Sequence, residues 1–102
     1  PIHQLTRSGV TLDLYAGSGA VGDTPLHLTK GEYAICEHLM PHAGRTFSRE
    51  QIYEAVFGLD GEADETAVTE HVKNIRAKLR VAGAGEVLQT IWGVGYQWKN
   101  ES

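Results

Sequence analysis

Val68, Val72, Ile75 and Leu79 follow one another at steps of four, three and four residues, and only an α-helix puts such positions on one side. So narrow an apolar stripe needs a core to lie against, while the polar residues between its members keep the other faces in water. At about 100° per residue, the direction opposite the stripe holds Thr66, Glu70, Lys73 and Ala77, with Asn74 beside them. Thr69, Arg76 and Arg80 fall on one flank, His71 and Lys78 on the other. Asp64 stands where a capping side chain belongs, and Gly83 and Gly85 end the segment.

Two more helices precede this one. Thr29-Lys30-Gly31-Glu32 and Ser48-Arg49-Glu50-Gln51 both have the capping-box form, in which the hydroxyl and the acid or amide satisfy each other's orphan backbone donors. Tyr33, Cys36, Leu39 and Met40 follow the first box at helical spacing until Pro41 and Gly44. Ile52, Ala55 and Val56 form the expected inner face of the second, which Gly58 ends. The first 28 residues read differently. Val10 to Tyr15 alternates apolar and polar, Ile2–Thr6 and Thr24–Leu28 are short partners, and Gly17, Gly19, Gly22 and Asp23 supply turns, giving an antiparallel meander. Val87 to Trp92 and Gly95 to Lys99 read as a terminal hairpin around Gly93-Val94.

The chain of 102 residues is therefore expected to be one α+β domain over 1–102: an N-terminal sheet in 1–28, three helices in 29–82 and a hairpin in 87–99. A helix-turn-helix followed by a hairpin is the winged-helix arrangement, which lays its last helix in the major groove of DNA. The net charge of −4, from 9 Lys and Arg against 13 Asp and Glu, argues mildly the other way. Its distribution reverses that: Glu54 to Glu65 carries five acids and no base, whereas Thr66 to Arg80 carries four bases and one acid. Asn74 can pair with adenine, Glu70 can accept from cytosine, and Arg76 and Arg80 have the length to reach phosphates from the flank. An alternative of another class is a winged-helix protein-interaction module that leaves DNA alone.

Other chemistry is weakly supported. Gly17-Ser18-Gly19-Ala20-Val21-Gly22 fits G-x-G-x-x-G, yet no helix starts at its glycines, so a hairpin turn is expected and no dinucleotide cofactor. His38, His42 and Cys36 are close in sequence, but Pro41 breaks the helix that would align them on a metal. Cys36 reads as a small core residue, and a single cysteine fits a reducing cytoplasm. No apolar run is long enough to span a membrane, and no nucleophile–base constellation marks an enzyme.

Four segments resemble the OmpR/PhoB-type DNA-binding domain of two-component response regulators. They are Leu28 to Tyr33, Ser48 to Ile52 with Val56-Phe57-Gly58, Val68 to Leu79, and Thr90-Ile91-Trp92-Gly93-Val94-Gly95-Tyr96. The resemblance implies DNA contacts from Thr66, Thr69, Glu70, Lys73, Asn74, Arg76, Ala77 and Arg80 in the third helix, and from Thr90, Trp92 and Gly93 in the wing. It implies an upstream receiver domain phosphorylated by a sensor histidine kinase, and a dimer on tandem half-sites. It also implies an RNA polymerase contact through the loop of Leu59, Asp60, Gly61, Glu62, Ala63 and Asp64. The sequence departs from the family at Trp92, where many members carry an arginine able to enter the minor groove, and at Asn74 and Glu70.

Overall fold

The structure, a computed structural model, describes residues 3–58 and 64–100. Strands β1 (Gln4–Arg7), β2 (Val10–Asp13), β3 (Ser18–Val21) and β4 (Thr24–Leu26) pair antiparallel in chain order. Val10 and Leu12 are buried while Thr11 and Asp13 are half-buried, the period of two that the sequence carries. The meander thus forms, with β4 ending at Leu26 instead of the expected Leu28 and two further corrections. The strand expected to reach Tyr15 stops at Asp13, because the Asp13 carboxylate accepts hydrogen bonds from the Tyr15 and Ala16 amides, both at 3.0 Å, and turns the chain. The glycine run read as a single turn contains β3 between two turns, with Gly17 and Gly22 taking positive φ at its ends. Ile2, expected in the first strand, lies outside the described residues.

Helix α1 (Lys30–Leu39) starts at the Thr29 box, where Thr29 Oγ1 accepts from the Glu32 amide at 3.3 Å and Glu32 Oε1 accepts from the Thr29 amide at 3.0 Å. Pro41 turns its continuation into a 3₁₀ turn over Met40–His42. Helix α2 (Arg49–Phe57) starts at the reciprocal Ser48–Gln51 box. Its inner face is Ile52 with Tyr53, Val56 and Phe57; Ala55, expected there, is exposed. The shift follows the neighbours: the Tyr53 and Phe57 rings meet at a tilt along the helix, and the Phe57 ring stacks 5.7 Å from His71 of the next helix.

Helix α3 (Thr66–Ala82) buries Val68, Val72, Ile75 and Leu79 and ends at Gly83, whose φ of +92° forms the left-handed cap. Glu65 occupies the cap position without a capping side-chain bond. Asp64 acts one residue farther out, its Oδ1 accepting from the Thr66 amide at 2.9 Å and from the Thr66 hydroxyl. Those two bonds hold the Asp64 carboxyl below the usual carboxylate range, so the helix starts beside a firm negative charge.

The terminal hairpin, β6 (Leu88–Ile91) and β7 (Gly95–Trp98), gains a third strand, β5 (Thr46–Phe47), in the order β5-β7-β6. Two residues are too few to show a period, which is why β5 is silent in the sequence. Trp98 is fully buried, and its indole N–H donates to the Arg7 carbonyl at 3.4 Å, linking the two sheets. Among the described residues no helix is long and apolar enough to cross a membrane.

Candidate nucleic-acid interface

The outer face of α3 exposes Thr66, Thr69, Glu70, Lys73, Asn74, Ala77 and Arg80. Thr69, Asn74 and Ala77 are short, so the helix axis can come close to whatever it meets, while Lys73 and Arg80 add long cations. The angles read from sequence are therefore realised for these residues. The flanks hold what sequence reasoning could not see. Lys78 Nζ donates to Glu32 Oε1 at 2.5 Å and to the His27 carbonyl at 2.7 Å, tying α3 to α1. His71 fills the other contact between these helices, for a methyl placed on Gly31 would lie 2.9 Å from its Nε2. Arg76 Nε donates to the Leu88 carbonyl at 2.9 Å and Nη2 to Thr90 Oγ1 at 2.5 Å. Of the four cations in the helix, two are bound to neighbouring elements and Lys73 and Arg80 face outward.

Glu32 is the buried charge among the described residues, at 3% exposure. Burial pushes its pKa up; the Lys78 hydrogen bond, the Thr29 amide and the charges of Lys78 and His71 outweigh this and hold it below the ordinary glutamate value. The carboxylate thus completes the α1 cap and anchors α3 at once, setting the angle at which the exposed face is presented.

At the wing, the β6–β7 turn places Gly93 at φ +77° and leaves Trp92 90% exposed. The three aromatics of the hairpin divide: Trp98 is core, Tyr96 is half-buried beneath the Arg76 guanidinium at 5.6 Å, and Trp92 points away from the protein. Thr90 is exposed beside it. An open groove of about 670 Å³ runs between the C-terminal half of α3 and β6, lined by Arg76, Arg80, Glu86 and Thr90 among others. A second, of about 430 Å³, runs from the starts of α2 and α3 to the wing tip. Thr90 and Ile91 line both, so the flank of α3 that carries Arg76 and Arg80 joins the wing tip in one continuous surface. Arg49, which the sequence reading did not single out, lines the second groove and sits 3.7 Å from Glu65. Its capping-box context advertises a helix start, not a surface. Of the expected loop contact, Leu59, Asp60, Gly61, Glu62 and Ala63 lie outside the described residues, and Asp64 is engaged with Thr66.

The remaining candidates pack. Cys36 is buried in the core, its thiol pushed up to about 12 by burial and the nearby Glu32 charge, which makes it a poor nucleophile. His38 and His42 lie around the Phe47 ring, at 4.8 and 5.8 Å, with Arg45 over the same ring. Among the described residues no three His, Cys, Asp or Glu side chains converge as a metal site would require.

Residues 23–98 match the family described as transcriptional regulatory protein, C terminal. The chain is 49% identical over 99 residues to the transcriptional regulatory protein SpaR of Bacillus subtilis, covering 95% of this chain and 44% of SpaR. It is 30% identical over 94 residues to the phosphate regulon transcriptional regulatory protein PhoB of Klebsiella pneumoniae, covering 92% and 41%. The chain thus spans less than half the length of these curated relatives. Its fold superposes on the DNA-binding domain of the response regulator AdeR, solved in complex with an intercistronic region, with TM-score 0.83, 27% identity and coverage of 95% and 99%. The C-terminal domain of the nisin resistance regulator NsrR gives 0.80, 26%, 96% and 99%.

Proposed function

We infer the function from one premise: the chain belongs to the family of transcriptional regulatory protein C-terminal domains, of the OmpR/PhoB response-regulator type. It is a winged-helix output domain that binds double-stranded DNA sequence-specifically, with α3 in the major groove and the wing on the adjacent backbone or minor groove. The observation that carries this reading for these residues is the exposed face of α3, polar and short at its centre, beside a flank of Arg76 and Arg80 that Thr90 and Ile91 connect to the wing tip. Thr66, Thr69, Glu70, Lys73, Asn74 and Ala77 then meet base edges or their surroundings, Arg80 reaches phosphate, and Thr90, Trp92 and Gly93 approach the flanking backbone. A duplex selected from a random library, titrated against a scrambled duplex at several salt concentrations, tests the reading. Affinity should fall steeply as salt rises, and the selected duplex should bind more tightly. Salt-independent, sequence-blind behaviour would favour the protein-interaction module instead.

Asn74 is the side chain on this face best suited to reading a base, because its amide both donates and accepts. Asn74→Ala is expected to cost roughly 1–3 kcal/mol on the selected duplex and to relax preference at one base pair. Binding to scrambled duplex should barely change. Equal losses on both would place Asn74 on the backbone.

The rest of the reading concerns the longer protein. A receiver domain upstream, phosphorylated by a sensor histidine kinase, would bring two copies onto tandem half-sites in the cytoplasm. The acidic loop of Leu59 to Asp64 suits a basic surface of RNA polymerase better than phosphate. Neutralising Asp60, Glu62 and Asp64 together should leave DNA affinity equal or slightly higher while changing transcription from a reporter. A large loss of affinity in a folded variant would overturn the assignment.

A further inference from the structure

The position of Arg76 around the helix axis suits a phosphate contact, yet its guanidinium is spent elsewhere. Nε and Nη2 form one edge of the arginine fork, the edge used for bidentate capture of an anion. Here that edge holds the Leu88 carbonyl and Thr90 Oγ1, at 2.9 and 2.5 Å, and Cζ lies over the Tyr96 ring, 5.6 Å from its centre. All three partners belong to the wing hairpin, and the side chain is half-buried between helix and wing. Because Thr90 Oγ1 accepts from Arg76, its own O–H remains able to donate to another partner. The hairpin from Val87 to Trp98 contains no Lys or Arg, so nothing in it releases counterions from DNA. What such a wing adds to binding depends on where it is held.

We propose that Arg76 is a positioning residue: it fastens the wing to α3, so that Thr90 and Trp92 reach the duplex in fixed register with the base-facing side chains. The inference rests on the DNA-binding reading above. A strut and a phosphate clamp differ in four measurable ways. Removing a strut leaves the slope of log K against log salt unchanged, whereas removing a phosphate contact flattens it by about one. A strut matters on the selected duplex and little on a scrambled one, where register is undefined. Its loss is coupled to loss of the wing contact it positions. Finally, lysine cannot replace the fork of a strut, but it can replace the charge of a clamp.

The experiment compares wild type, Arg76→Ala, Arg76→Lys, Trp92→Ala and the Arg76→Ala/Trp92→Ala double variant on selected and scrambled duplexes across salt. Arg76→Ala should weaken the selected duplex roughly tenfold at unchanged slope, Arg76→Lys should do the same, and in the Trp92→Ala background the loss should shrink to about twofold. Fluorescence gives an independent readout of the wing. Trp98 is fully buried and Trp92 90% exposed, so protection from a soluble quencher on adding duplex reports Trp92. That protection should be present in wild type and weakened in Arg76→Lys. A slope lowered by about one on both duplexes, restored by Arg76→Lys and additive with Trp92→Ala, would overturn the proposal and make Arg76 a phosphate ligand. Wild-type protein that binds neither duplex in a salt-dependent way would overturn the DNA-binding reading, and the strut with it.

Discussion

Gly95→Ala is expected to lower the thermal midpoint by roughly 10–20 °C, the largest effect of a methyl added to any glycine among the described residues. Gly95 opens β7 where that strand crosses β5, one residue before the Tyr96–Phe47 pair. A methyl there would meet the Phe47 carbonyl oxygen far inside contact distance and stand 2.8 Å from both the Phe47 carbonyl carbon and Ser48 Cα. The three nearest atoms are all backbone, so no side-chain rotation relieves the clash; β5 must separate from β7. Ser48 is also the cap of α2, so the displacement reaches a helix start as well as the wing. Gly93→Ala, two residues earlier, is the informative control. Its site is open, and its φ of +77° makes the substitution a matter of backbone strain alone, about 1 kcal/mol. Melting curves followed by circular dichroism separate the two. If Gly95→Ala melted within about 3 °C of wild type, β5 would not be packed against β7 as described.

Lys78→Met should cost about 2–4 kcal/mol at pH 7, although it keeps an unbranched apolar stem and the apolar stripe of α3. The loss comes from stranding Glu32, which is almost fully buried and would keep only the Thr29 amide. Glu32→Gln should cost less. Its amide oxygen still accepts from Thr29, and Lys78, whose side chain is one-third exposed, still has the His27 carbonyl and water. Acid changes the comparison in a defined direction. Because the folded state holds the Glu32 pKa below its ordinary 4.5, ionised Glu32 stabilises the fold above that pH and the contribution is lost as pH falls through the lowered value. The gap between wild type and Lys78→Met should therefore be widest near neutrality and narrow on acidification. Urea titrations at a series of pH values measure it. A gap that stayed constant down to pH 3 would show that Lys78 acts through packing alone.

How much of this was legible from the chain depended on how local the cause was. Helical periodicity and the two capping boxes are satisfied within a few residues of themselves, and α1, α2 and α3 lie where those signals put them, as do the exposed face of α3 and the buried stripe opposite. The same local signals set the order of meander, three helices and hairpin, and so the winged-helix class. It misplaced what was brief or negotiated. β3 was hidden in a glycine run, β5 is two residues long, the strand to Tyr15 was cut by a side-chain turn at Asp13, and Ala55 lost its inner position to Tyr53 and Phe57. Which polar groups are spent on the fold and which remain for a partner depends on long-range packing. Arg76, Lys78 and Arg80 are all long cations at the edges of one helix, yet the first grips the wing, the second grips a buried carboxylate 46 residues earlier in the chain, and the third faces solvent. A helical period specifies direction around an axis, whereas hydrogen-bond partners come from chain segments far away in sequence, and only their packing brings those within 3 Å.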